Sequence, residues 1–248
     1  MTIETSATVV AVAALVTALA TGLGAAPFLF VSRLARSSVG VANALAAGFM
    51  IAASGLLFYE GVGADTLLTV AGVVVGVLFV ALASQLLAAR PHVHFEALAN
   101  ADARKALLLV GVMTVHSFAE GAGVGASFGG GQSLGLVTAL AIAIHNIPEG
   151  LAISLVLIPG GVRVLHAAGW SILSSLPQPL VAVPAFAFVA FFEDLVPLGL
   201  GFAGGAMLWM VAAQVVPDAV RASSRRAVGG ALVGSAAAML VLEALLLS

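Results

Sequence analysis

Eight stretches of about twenty apolar residues, separated by short polar breaks, run along the chain, and stretches of that length mark membrane-crossing helices. They cover about 8–31, 39–59, 67–89, 106–127, 134–158, 164–192, 196–216 and 227–247. The sixth contains Pro177, Pro179 and Pro184 and is expected to be kinked. The predicted fold is an all-α polytopic membrane protein of eight transmembrane helices, a single transmembrane domain over 1–248 with no second soluble domain. Small residues interrupt the apolar runs, as in Gly121–Ala126 and Gly199–Gly205. In lipid they allow helix backbones to approach closely, which is compatible with a homodimer but does not require one.

Composition strengthens this reading. The 248 residues are 62% hydrophobic and 8% charged, against roughly 25% charged in soluble domains, so a water-exposed surface could not be covered. There is no cysteine, which excludes disulfides and thiolate metal sites and leaves His, carboxylate, amide or Met as ligands. No basic run suggests nucleic acid. Met1–Ser6 lacks the positive segment of a cleavable signal, so the first apolar stretch is expected to persist as a span.

The nine basic residues orient the chain. Arg33 and Arg36 follow the first span, Arg90, Arg104 and Lys105 the third, Arg163 the fifth, and Arg221, Arg225 and Arg226 the seventh. All of these loops fall on one face, which the positive-inside rule makes cytoplasmic, with both termini outside and the plasma membrane as location. The cytoplasmic loop 90–105 holds His92 and His94, which could chelate a metal if extended. Glu4, Glu60, Asp65, Glu193 and Asp194 make the outer face weakly acidic, which suits either cation attraction or simple solvation.

Few ionisable residues lie inside the spans. Glu243 is near the end of the last and is expected to reach the membrane surface. The other four form two copies of one pattern: Val115-His116-Ser117-Phe118-Ala119-Glu120-Gly121 in span four, and Ile144-His145-Asn146-Ile147-Pro148-Glu149-Gly150 in span five. Residues four apart share a helix face. Pro148 removes a backbone donor between the second His and Glu. The Gly-rich turn Gly129–Ser133 makes the two spans antiparallel neighbours, so the pairs meet at one depth. They form either a proton-bonded His–Glu network or a metal site. The duplication at matched depth favours metal: two imidazoles and two carboxylates suit Zn2+ and admit Fe2+, Mn2+, Co2+ or Cd2+. Nothing suggests an organic cofactor. Ser117, Asn146 and Gln178 offer oxygen nearby, Met50 a thioether, and Gln214 precedes Pro217 in an apolar run.

These motifs resemble those of the ZIP family of divalent metal transporters, closest to its bacterial and archaeal zinc-uptake branch. The resemblance covers nearly the whole chain, and His145-Asn146-Ile147-Pro148-Glu149-Gly150 matches the family's His-Asn-x-Pro-Glu-Gly in full. It implies eight spans and zinc uptake into the cytoplasm through a binuclear site. The primary ligands would be Met50, His116, Glu120, His145 and Glu149. A second site would use Ser117, Glu120, Asn146, Glu149 and Gln178, with the two glutamates bridging. The chain departs from the family at Ser117 and Ala119, where Asn and Pro are usual, at Gln178, where a Glu is usual, and at Ala213-Gln214, where the family has Asp-Glu. The primary site is therefore expected to be complete and the second weak or absent. Two rival readings use the same residues. An intramembrane zinc hydrolase lacks any general base apart from the metal ligands. A non-transporting metal sensor fits a depleted second site.

Overall fold

The computed structural model describes residues 6–31, 34–89 and 101–247. Among them every regular element is helical. The order is α1 (Ala7–Gly22), running on as a 3-10 turn (Leu23–Leu29), α2 (Arg36–Ala64), α3 (Thr66–Ala89), α4 (Ala101–Gly129), α5 (Gln132–Leu157), α6 (Val164–Ser175), α7 (Pro177–Phe191), α8 (Val196–Met210), α9 (Val216–Ala222) and α10 (Arg225–Leu247). Among the described residues, seven segments are long and apolar enough to cross a membrane by length and composition: Ala7–Leu29, Arg36–Ala64, Thr66–Leu87, Gln132–Leu157, Val164–Phe191, Glu193–Ala222 and Arg225–Leu245. The eighth rod, α4, is 29 residues and hence about 44 Å long, more than the roughly 30 Å hydrocarbon core.

Proline explains where the rods break. The expected kink in the sixth is a full interruption: α6 ends at Ser175 and α7 restarts at Pro177, a position where the missing N–H would have had no partner anyway. In the seventh, Pro217 lacks the N–H that would close onto Ala213, and the preceding Val211–Val215 widens into a π-turn. Asp65, the single residue between α2 and α3, accepts a hydrogen bond from the Leu68 N–H at 2.9 Å and so caps α3. One boundary differs from expectation: α4 begins at Ala101, so the end of the expected loop 90–105 is helical. His92 and His94 lie outside the described residues.

The burial pattern is inverted relative to a soluble protein. His116, Ser117, Glu120, His145, Asn146 and Gln178 are fully buried, while Phe30, Leu67, Leu165 and Phe191 stand exposed. An all-α polytopic membrane protein solves both halves of that pattern, because lipid takes the apolar faces. Helix α4 is the innermost rod, packed against α3, α5, α6, α7 and α8, and nearly all of its residues from Met113 to Phe128 are shielded.

Two crossings hold the polar centre together, and each falls at the glycine that ends one copy of the repeated motif. At Gly150 on α5 the last turn of α1 passes so close that a Cβ would lie 1.7 Å from the Thr21 carbonyl oxygen. At Gly121 on α4 a Cβ would lie 2.6 Å from the carbonyl oxygen of Gln178 on α7. Glycine is required at both points because the neighbour is backbone and cannot yield. Gly150→Ala should therefore force α1 off α5 and cost about 1–3 kcal/mol, the usual penalty for overpacking. A lowered thermal midpoint in detergent is expected, with no loss for Gly230→Ala, whose Cβ would meet nothing within 4 Å; equal midpoints for the two variants would contradict the crossing.

Candidate metal centre

His116 and His145 lie at equal distances from the Gly130–Gly131 turn that joins α4 to α5. The turn is only two residues long, so the helices run antiparallel and the two imidazoles share one depth, about 21 Å from it at 1.5 Å per residue. Glu120 is one turn closer to the turn and Glu149 one turn further away. Side chains on a helix lean toward its N-terminus. On antiparallel helices the two glutamates therefore lean toward each other and back to the level of the histidines.

The coordinates agree with that construction. His116 Nε2 lies 3.2 Å from Glu120 Oε1 on its own helix and 3.1 Å from Glu149 Oε1 across the pair. His145 Nε2 lies 2.5 Å from Glu120 Oε1. One ligand atom from each of the four residues falls within 4.8 Å of the other three, and all four residues are buried. Yet both ring nitrogens of His116, Glu149 Oε1 and His145 Nδ1 have no hydrogen-bond partner. Buried polar atoms are nearly always satisfied. A buried group of imidazoles and carboxylates with several polar atoms left unpartnered is what a divalent cation can satisfy. Four tetrahedral ligands at about 2.0–2.2 Å from zinc stand roughly 3.3–3.6 Å apart, which the four groups reach with small adjustments. An ion of charge +2 would also offset the two carboxylates, each of which costs a few kcal/mol at mid-membrane.

The other residues singled out from sequence fall into two groups. Asn146 and Gln178 adjoin the four. Gln178 Nε2 donates to Glu120 Oε2 at 2.5 Å, while its Oε1 accepts from the Thr17 hydroxyl at 2.5 Å and from Asn146 Nδ2 at 3.2 Å. Asn146 Nδ2 also donates to the Thr17 carbonyl at 2.8 Å. Ser117, by contrast, is buried with a partnerless hydroxyl. Met50 is fully buried within the main apolar cluster, and Gln214 is half-buried on the π-turn. Glu243, expected to reach the membrane surface, is instead 5% exposed with Oε1 unpartnered. It sits on the inward stripe that α10 turns to its neighbours with Ser235 and Met239.

Sequence reasoning missed Thr17. A lone threonine in an Ala- and Val-rich helix ordinarily bonds its own backbone, and here the one hydroxyl hydrogen lies between the Ala14 carbonyl, at 2.7 Å, and Gln178 Oε1. The available signal was periodic: Ala14, Thr17, Ala18 and Thr21 on α1, continued by Gly24 on the 3-10 turn, make a stripe of small and hydroxyl residues, all buried. Thr21 on that stripe meets the Ser175 hydroxyl at 2.8 Å.

No family model matches the chain. Over 246 residues it is 48% identical to At3g08650 of Arabidopsis thaliana, provisionally named a zinc transporter, matching 98% of this chain and 39% of that protein. Over 231 residues it is 35% identical to zinc transporter GufA of Myxococcus xanthus, matching 87% of this chain and 90% of GufA. A 123-residue stretch is 31% identical to zinc transporter ZIP11 of Homo sapiens, matching 47% of this chain and 36% of ZIP11. The chain thus spans about two fifths of the Arabidopsis relative and most of the Myxococcus one.

If the four residues form one centre, Ala substitution at any of His116, Glu120, His145 or Glu149 should weaken zinc binding by more than about 100-fold, beyond the range seen for residues that only support a ligand. Glu193→Ala should leave the affinity of the purified protein within about twofold. Isothermal titration calorimetry in detergent reads both outcomes.

Proposed function

The chain belongs to the ZIP family of zinc transporters, and from that premise we propose that it carries a divalent cation, zinc above all, across the plasma membrane into the cytoplasm. The observation that carries the proposal is the convergence of His116, Glu120, His145 and Glu149 in the buried interior, with several of their polar atoms unpartnered. These four are the ion's ligands. Met50 on α2 and Ser117 on α4 are the next donors to test, and Asn146 and Gln178 act beside them.

Orientation follows from charge. Arg36, Arg163, Arg221, Arg225 and Arg226 all sit at the ends of α2, α6, α9 and α10 that alternating rods bring to one face. The positive-inside rule makes that face cytoplasmic, and the acidic outer connections, with Asp65, Glu193 and Asp194, are where the cation arrives.

A two-bundle movement is supported by how the helices are joined. Among the described residues, the side-chain hydrogen bonds seen to cross between helices are Thr17–Gln178, Thr21–Ser175, Asn146–Gln178, Asn146 with the Thr17 carbonyl, Gln178–Glu120, Glu120–His145 and Ser171 with the Gly150 carbonyl. All of them lie among α1, α4, α5, α6 and α7. Packing onto α3 and α8 is apolar, through Phe79 against Phe118 with ring centres 5.4 Å apart and Gly123 against Ala203. A polar-bonded bundle carrying the site can shift against an apolar frame without breaking directional bonds, which gives the ion access to one side at a time.

The relatives' names are those of transporters, not enzymes, so the hydrolase reading is set aside. Proteoliposomes containing the wild-type chain and a trapped zinc-sensitive dye should accumulate zinc, and those with Glu149→Ala should match empty vesicles. Wild-type uptake no faster than that of empty vesicles would refute the carrier, and zinc binding without uptake would make the protein a sensor. Competition by iron, manganese, cobalt and cadmium in the same vesicles ranks the cargo.

A further inference from the structure

Gln178 is fully buried, and its amide has a donor end and an acceptor end whose placement is fixed from outside. The fixing begins at the Thr17 carbonyl, which can only accept. It therefore takes the amide nitrogen of Asn146, at 2.8 Å. That same nitrogen faces Gln178 at 3.2 Å and so must meet its oxygen, Oε1, which the Thr17 hydroxyl also approaches at 2.5 Å. Gln178 is left with only its NH2 to turn toward Glu120, and Nε2 donates to Oε2 at 2.5 Å. An amide turned the other way would set its oxygen against a carboxylate and its nitrogen against the Asn146 N–H, which can only donate.

Resting on the four-residue site proposed above, we infer that Gln178 is a positioning residue that makes Glu120 a one-oxygen ligand and holds the centre to a single ion. Glu120 Oε1 faces both histidines, and Oε2 is occupied by the Gln178 amide. A second ion bridged by Glu120 would have to bind at Oε2, where an N–H now points. The amide hydrogen thus stands where a second positive charge would otherwise be needed, and Thr17 and Asn146 keep it there. Four helices meet in this chain of bonds: α1 through Thr17, α5 through Asn146, α7 through Gln178 and α4 through Glu120.

Replacement by glutamate inverts the arrangement. In Gln178→Glu a carboxylate oxygen takes the place of the donor and faces Glu120, and two carboxylates this close cannot both stay ionised without a cation between them. The test is the zinc content of the full-length protein in detergent, measured by mass spectrometry after removal of free metal, together with zinc affinity. The wild-type chain should retain about one zinc and Gln178→Glu about two. Gln178→Met, which keeps the volume and removes the donor, should retain about one with affinity lowered about 10–100-fold. Two zinc ions on the wild-type chain, or one on a folded Gln178→Glu, would overturn the inference and leave the four-residue site standing. Should Gln178→Glu not fold, a Gln178→Met affinity within twofold of wild type would overturn it equally. A wild-type chain that binds no zinc overturns the site itself, and this inference with it.

Discussion

Two carboxylates near the middle of an apolar bundle need positive charge beside them, and the rest of the architecture follows from supplying it. Glu120 and Glu149 are each placed one helical turn after a histidine, on two helices that a two-residue turn makes antiparallel. Because side chains lean toward the helix N-terminus, the glutamates close on the histidine level from opposite sides. The same sequence repeated on parallel helices would bring both glutamates to that level from one side. The short motif and the tight turn together place the four side chains around one level.

Close helix contact buries the centre. The glycines that end the two motif copies admit backbone from α1 and α7, and Thr17, one turn from Thr21, and Gln178 itself reach the polar residues of α4 and α5. Polar bonds then join α1, α4, α5, α6 and α7, while α2, α3, α8 and α10 pack largely through alanine, glycine and aliphatic residues. In a bilayer, where apolar association gains little from excluding water, small-residue contact and interhelical hydrogen bonds are the forces available. Their unequal distribution separates a group of helices joined by polar bonds from one packed by apolar contact.

Much of this was legible in the sequence, for reasons that can be stated. Spans are set by length and apolarity, which one sequence displays directly, and the duplicated His-x-x-x-Glu-Gly at equal distance from a turn determines a shared depth. What escaped detection depended on tertiary partners. Thr17 looks like any threonine in a span until Gln178 is beside it. Gln178 reads as an oxygen donor, but which end of an amide faces the site is decided by Asn146 and a backbone carbonyl on another helix. Glu243 lies close enough to a helix end to suggest a solvated carboxylate, yet the inward stripe of α10 buries it. Helix α4 begins before its apolar run does, since Ala101–Lys105 has helix-forming residues that a hydropathy reading assigns to a loop.

The account stands or falls on where the ion sits. An anomalous-scattering map at the zinc edge from zinc-loaded crystals measures this without reference to transport. The account predicts one peak bounded by His116 Nε2, His145 Nε2 and a single oxygen from each of Glu120 and Glu149, at about 2.0–2.2 Å from each. A peak elsewhere in the bundle, or a loaded crystal in which His145 keeps its bond to Glu120 with no metal between α4 and α5, would contradict it.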